Sequence, residues 1–161
     1  MKGRMPVVCV SLVLFALIQV EGWAQTKYVP KENEELYGTW INDKSKNSQH
    51  MQKEVITSDG WKQYIDMNDT VPHDEGTGRI DSKWTDSAGN VWYKTFSTTT
   101  SGTYKGFKDQ WLIRISKSGT VLECVYFDVG DFDPKLYPTE IDPKYMNNYN
   151  GGYRIFYRAG K

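Results

Sequence analysis

The alternation of apolar and polar residues along the chain is typical of short β-strands. In several stretches between residues 36 and 158, apolar and aromatic side chains recur at every second position, the period that sends alternate side chains to opposite faces of a strand. Glycine, asparagine, aspartate and serine gather between these stretches, where turns are expected. The pattern predicts eight strands, at residues 36–42, 53–57, 61–67, 79–86, 91–98, 108–116, 121–128 and 153–158.

The sequences between the strands favour antiparallel neighbours. Asp59-Gly60 separates two β-rich segments, and this pair is a strong hairpin signal because Gly adopts a positive φ without cost. Eight strands in meander order predict an all-β fold, an eight-stranded antiparallel up-and-down barrel. Closure would remove the exposed edges that an open sheet must protect. A β-sandwich is the main alternative. Strand 121–128 is apolar on both faces, which predicts a central position.

The connection before the last strand is long enough to hold structure of its own. Asp142 followed by Pro143 is typical of a helix start, with an N-cap and then Pro at the first helical position. Residues 144–149 are predicted to form a short helix that ends at the Asn and Gly residues 150–152.

The first 24 residues have the features of a secretory signal peptide. Lys2 and Arg4 precede an apolar segment at 7–20, and Gly22 and Ala24 are small residues before a cleavage site. The segment is too short for a transmembrane helix, so no membrane span is expected. We therefore expect a signal peptide at 1–24, a flexible lead-in at 25–35 and a barrel domain at 36–161. The protein would be exported, whether periplasmic, cell-surface or secreted.

Charge and cysteine content narrow the expected partners and compartment. The chain has 20 Lys and Arg against 20 Asp and Glu, a balance that argues against a nucleic-acid partner. Cys124 is the one cysteine beyond the signal peptide, so an internal disulfide is excluded. An exported chain without disulfides fits a bacterial periplasm or cell surface. Cys124 lies mid-strand among apolar residues and is predicted to be buried and inert. The oligomeric state is left open.

A short motif in the first strand carries a family resemblance. Gly38 and Trp40 share one face of the strand, so the glycine leaves room beside the indole, whose N–H needs a partner from elsewhere in the chain. Arg158 in the last strand, or Arg154 if the pairing is shifted, could lie over the indole. Gly38-Thr39-Trp40 with a late Arg resembles the lipocalin (calycin) pattern, in particular the lipocalin-like domains of bacterial exported proteins. The resemblance implies that the first strand meets the last, that Gly38, Trp40 and Arg158 are structural residues, and that the long first loop acts as a lid.

Alternation also predicts which side chains face the interior of the barrel. Strand 79–86 would point Ile80, Ser82 and Trp84 inward and Lys83 outward. An eight-stranded barrel is just wide enough to be filled by side chains or to hold one small ligand. The inward set is Ile80, Trp84, Trp111, Ile113, Leu122, Tyr126 and Ile155, and the candidate ligand-binding residues are Ile80, Trp84, Trp111, Ile113 and Tyr126. These side chains either line a pocket or plug it, and both interpretations stay open.

Catalytic and metal-binding residues are sparse. His50 and His73 lie in polar stretches without a neighbouring Cys or His, which predicts surface loops rather than a zinc site. Asp128, Asp131 and Asp133 miss the EF-hand spacing and are interpreted as a solvated acidic turn. No catalytic residue, metal or cofactor is therefore expected. The favoured function is an exported protein that binds a small, largely apolar ligand. A filled-core envelope or protein-interaction module is the alternative, and a hydrolase-type enzyme comes third.

Overall fold

Eight antiparallel strands close into a barrel in the computed structural model, which describes residues 33–42, 53–147 and 151–160. Each strand pairs with its neighbour in sequence, and β1 closes the barrel by pairing with β8, with Trp40 opposite Arg158. This confirms the all-β up-and-down barrel and excludes the sandwich. The strands are β1 (Gly38–Asn42), β2 (Lys53–Thr57), β3 (Gly60–Tyr64), β4 (Asp74–Thr85), β5 (Val91–Gly102), β6 (Lys108–Ile115), β7 (Val121–Val129) and β8 (Gly151–Arg158).

Several expectations lie outside the described residues. The signal peptide, most of the lead-in, the long first loop at 43–52 and His50 belong to this group. Glu35, the last residue of the lead-in, contacts the barrel. Glu35 accepts hydrogen bonds from Tyr93 Oη at 3.0 Å and Lys83 Nζ at 3.0 Å. Within the described part of the chain, no helix is long and apolar enough to cross a membrane.

Strand β4 begins five residues before the predicted position. The stretch from Asp74 to Gly78 is poor in β-forming residues, which is why the sequence predicts a loop there. Gly76 is nevertheless required in the strand, because an added Cβ would lie 2.6 Å from the Trp61 ring and 2.4 Å from the carbonyl oxygen of Thr98. The glycine thus creates the space in which Trp61 lies across the strand. Strand β3 in turn ends at Tyr64, earlier than expected, and Ile65 beyond it is exposed.

A register shift in β4 reverses the predicted faces of its second half. Ile80 pairs with Thr95, but Ser82 pairs with Lys94, so Asp81 is the extra residue of a bulge. A one-residue shift moves every following side chain to the other face. Trp84 therefore stacks on Trp92 outside the barrel, with ring centroids 5.8 Å apart. The prediction that Ser82 and Trp84 point inward and Lys83 outward is wrong: Lys83 Nζ lies over the Tyr93 ring and reaches Glu35.

The connection between β7 and β8 covers the outer face of the barrel. It contains two 3-10 helices, Pro134–Leu136 and Pro143–Asn147, the second lying where a short helix is predicted. Gln110, fully buried on the outer face, exchanges two hydrogen bonds of 2.8 Å with the backbone of Asp133. A second apolar cluster forms beneath the connection, from Val125, Tyr153 and Ile155 with Val121, Phe127, Ile141 and Tyr145. Strand β7 is apolar on both faces for this reason, and the prediction that Ile155 points inward is wrong.

Candidate ligand cavity

The contact between the first and last strands fixes one part of the cavity wall. Trp40 is fully buried, and the Arg158 guanidinium lies over its ring at 4.4 Å from Cζ to the centroid. Arg158 also donates hydrogen bonds to the carbonyl oxygens of Tyr37, at 3.1 Å, and Glu35. The indole N–H donates to Leu36 O at 2.9 Å, so its partner is local rather than distant. These bonds hold the segment before β1 across the interior of the barrel.

An interior cavity of about 90 Å³ lies beside this contact. Its walls come from all of the strands and from the turn before β1, because every strand sends alternate residues inward. Most of the lining is apolar or aromatic, as small-molecule sites usually are. The lining side chains and glycines are Leu36, Tyr37, Trp40, Glu54, Ile56, Thr57, Ser58, Gly60, Trp61, Gly78, Arg79, Ile80, Thr95, Ser97, Trp111, Ile113, Leu122, Cys124 and Phe156.

The cavity reaches solvent between the β2–β3 turn and strand β4. Pairing between β3 and β4 stops at Trp61 and Gly76, while β4 continues to Thr85. Beyond that point, β4 pairs only with β5 among the described residues. Thr57, Ser58, Gly78 and Arg79 line the cavity and are exposed, so they mark its opening. A lateral gap between strands therefore gives a small molecule a route to the interior.

One of the buried polar groups in the cavity wall is a carboxyl. Glu54 on β2 faces inward opposite Gln63 and is buried, with 9% of its surface exposed. Burial raises the pKa of Glu54, while Arg154 and the hydrogen bond with Gln63 oppose that shift. Arg154 projects inward from β8 and is itself buried, with Cζ 4.6 Å from the Tyr126 ring and 5.3 Å from the Trp111 ring. The aromatic cavity thus has an acidic group on its wall and a cation behind it.

Two tryptophans of the aromatic wall differ in their hydrogen bonding. Trp111 is held by a hydrogen bond of 3.0 Å from its Nε1 to Ser97 Oγ and by stacking on Tyr126 at 4.5 Å. Trp61 lies across Gly76, and its Nε1 is buried without a hydrogen-bond partner among the described residues. A buried donor that lacks a partner costs free energy. The two indoles thus form part of the aromatic wall, to which Glu54 adds a carboxyl.

The structure brings three of the five candidate ligand-binding residues to the cavity. Ile80, Trp111 and Ile113 line it, and Leu122 from the wider inward set lines it too. Tyr126 also points inward and stacks on Trp111, but it does not itself line the cavity. Trp84 lies on the outer face and 40% of its surface is exposed, so its assignment to the cavity is wrong.

Sequence reasoning misses the polar part of the site. Glu54 and Arg154 lie in strands whose positions the sequence predicts correctly. Glu54 is the direct partner of Trp40 in the β1–β2 pairing, so its inward orientation can be deduced only when that register is known. Ser97 and Thr95 are missed because a small polar residue in a strand is equally compatible with a position that faces solvent. Trp61 is missed because its place depends on Gly76, which lies in a stretch predicted as a loop.

The remaining side chains that could act as a base, a nucleophile or a metal ligand make structural contacts. His73 lies between Asp74 Oδ2, at 2.7 Å from Nδ1, and Thr103 Oγ1, at 3.1 Å from Nε2. Asp74 is buried and accepts a bond from Tyr104 N at 2.9 Å, so this group fastens the β5–β6 turn. Cys124 lines the cavity but is buried, which raises the pKa of its thiol. No group of three or more His, Cys, Asp or Glu among the described residues is placed to hold a metal.

No protein-family model, no curated protein and no solved structure matches the chain. Any assignment of function therefore rests on the cavity residues described above.

Proposed function

We propose that this chain is an exported, lipocalin-like binding protein that holds one small, largely apolar ligand inside its barrel. The observation that carries the proposal is the aromatic cavity of about 90 Å³, with a lateral opening and few polar groups. The Gly38-Thr39-Trp40 motif and the contact of Trp40 with Arg158 support the likeness to lipocalins. The signal-peptide features of residues 1–24 support export.

The volume limits the size of the ligand. An apolar cavity of about 150 Å³ engineered in another protein binds benzene. The cavity of about 90 Å³ is smaller but open on one side, so it suits at most a single ring or a short branched chain, part of which extends into the opening. A long acyl chain or a multi-ring pigment would need the walls to move apart. We therefore propose a ligand of this small class.

Calorimetric titration with toluene tests the proposal. We expect one-to-one binding to the wild-type protein and weaker binding to Trp111→Ala, because contact area worth about 25 cal/mol per Å² is lost. Trp84→Ala removes the same side chain from the outer face of the barrel and should leave toluene binding unchanged. Absence of binding to a folded wild-type protein, or equal effects of the two substitutions, would contradict the proposal.

An outer tryptophan pair favours a second function. Trp84 and Trp92 are stacked with 10° between their planes, and Arg114 Cζ lies 5.4 Å from the Trp92 ring. Exposed aromatic surface of this kind is enriched in protein interfaces. A protein-interaction module would use this pair rather than the cavity. If partner proteins that bind to the wild-type chain still bind after Trp84→Ala and Trp92→Ala substitution, that alternative is contradicted.

A further inference from the structure

Carboxyls outnumber cations among the described groups around Arg154. Glu54 on the cavity wall and Asp109 on β6 interact electrostatically with each other and with the same cation, Arg154. Asp109 is further affected by Asp128, its direct neighbour across β6 and β7. The buried thiol of Cys124 also interacts electrostatically with Glu54. Among these described groups, three carboxyls accompany one guanidinium.

The guanidinium of Arg154 lies close to two aromatic rings. Its Cζ lies within 5.3 Å of both the Trp111 and Tyr126 ring centroids, and its Nε has no hydrogen-bond partner among the described residues. Glu54 is buried and Asp109 is partly buried, and one guanidinium does not balance both charges, so burial favours the protonated form of each carboxyl. A positive charge inside the cavity would remove that imbalance.

The walls around Glu54 suit a cation that belongs to an organic molecule. Trp61, Trp111, Trp40 and Tyr37 line the same cavity as Glu54. Aromatic faces attract ammonium groups, and the attraction is stronger where water is excluded. The remaining lining is aliphatic, which suits an apolar body attached to the charged group. A bare metal ion would find too few oxygen ligands on such a wall.

We propose that the ligand is a small organic amine, whose protonated nitrogen binds the Glu54 carboxylate while its ring or short chain fills the aromatic cavity. This inference rests on the proposed binding function and specifies the chemical class of the ligand. Small carboxylic acids are excluded from the same position, because their charge would face Glu54 directly.

Three probes of nearly equal shape separate the possibilities. Benzylamine, benzyl alcohol and benzoate share one ring and differ in the charge of the attached group at pH 7. We expect calorimetry to show benzylamine binding at least tenfold more tightly than benzyl alcohol, which corresponds to about 1.4 kcal/mol. Benzoate should not bind. Glu54→Gln should abolish the preference, so that benzylamine and benzyl alcohol bind to the variant with affinities within about threefold of each other.

A matched control separates Glu54 from the general charge of the protein. Glu75 lies on the outer face of β4, near Lys62, so Glu75→Gln should keep the full preference for benzylamine. If Glu54→Gln does not fold, the order of the three probes on the wild-type protein still decides the question.

The possible failures are distinguishable. Binding of benzyl alcohol without a preference for benzylamine would overturn the amine inference and leave the proposed function in place. A preference that survives in folded Glu54→Gln would also overturn it, because the charge would then be recognised elsewhere. Absence of binding by all three probes and by toluene would overturn both.

Discussion

The guanidinium of Arg158 lies over the indole of Trp40, 4.4 Å from the ring centroid, and joins the last strand of the barrel to the first. The two residues are also direct partners in the β1–β8 pairing. Gly38 lies beside the contact: a Cβ added there would be 3.4 Å from Arg158 Nη1, an ordinary contact distance, and it is the φ of +143° that requires glycine at this residue. Closure of the barrel therefore depends on a small set of side chains that are far apart in sequence.

Replacement of Trp40 should destabilise the protein strongly. Trp40→Ala leaves a cavity under Arg158, so we expect a loss of about 3–5 kcal/mol in the free energy of unfolding. Urea denaturation monitored by circular dichroism measures it. Trp84→Ala is the control, because that indole is 40% exposed and should cost about 1 kcal/mol. A loss below about 1 kcal/mol for Trp40→Ala would show that Trp40 does not anchor the barrel.

Gly76 should tolerate no side chain. Its Cβ would meet the Trp61 ring at 2.6 Å and a backbone oxygen at 2.4 Å, so Gly76→Ala should cost about 2 kcal/mol or more. Gly130 has no atom within 4 Å of its Cβ position, and Gly130→Ala should change stability by less than about 0.5 kcal/mol. Thermal unfolding of the two variants checks the difference. Equal stability would mean that Trp61 does not lie across β4 as described.

The fold was more predictable than the site, and the reason is periodicity. Alternation and turn residues located all eight strands, and the motif at Gly38 and Trp40 correctly indicated the contact with Arg158. Alternation fails where the register changes. The bulge at Asp81 leaves no clear mark in the sequence, yet it moves Trp84 from the predicted interior to the surface.

Long-range packing accounts for the remaining differences. Ile155 faces outward because the β7–β8 connection brings Ile141 and Tyr145 over it. Neither strand pattern nor propensity encodes which face such a connection will cover. Glu54 could be placed on the cavity wall only after the pairing of β1 with β2 was known. The acidic character of the site therefore follows from the structure.

Stability should fall as the pH rises because of Asp109. Burial, with smaller contributions from Asp128 and Glu54, raises the pKa of Asp109 from 3.8 to about 7. Between these two values the folded state binds more protons than the unfolded state, so this group lowers the free energy of unfolding with increasing pH. Relative to Asp109→Asn, the wild type should lose up to about 2 kcal/mol between pH 4 and pH 7, after allowance for solvent screening. Urea denaturation of both proteins across this range measures the difference, and a constant difference would contradict the assignment.

Processing should remove the first 24 residues. The charged start, the apolar segment and the small residues Gly22 and Ala24 predict an exported protein that begins at Gln25. N-terminal sequencing of protein recovered from outside the cytoplasm tests this. Material that begins at Met1 would show that the segment is not a cleaved signal peptide.

Localisation of a bound probe tests the central claim most directly. In a ¹H–¹⁵N correlation spectrum titrated with toluene, the account predicts saturable shifts of the amides of Thr95, Ile113 and Cys124, which line the cavity. The amides of Tyr153 and Ile155, in the outer apolar cluster, should move much less. Shifts confined to the outer cluster or to the exposed Trp84, or no saturable shifts at all, would contradict a ligand site inside the barrel.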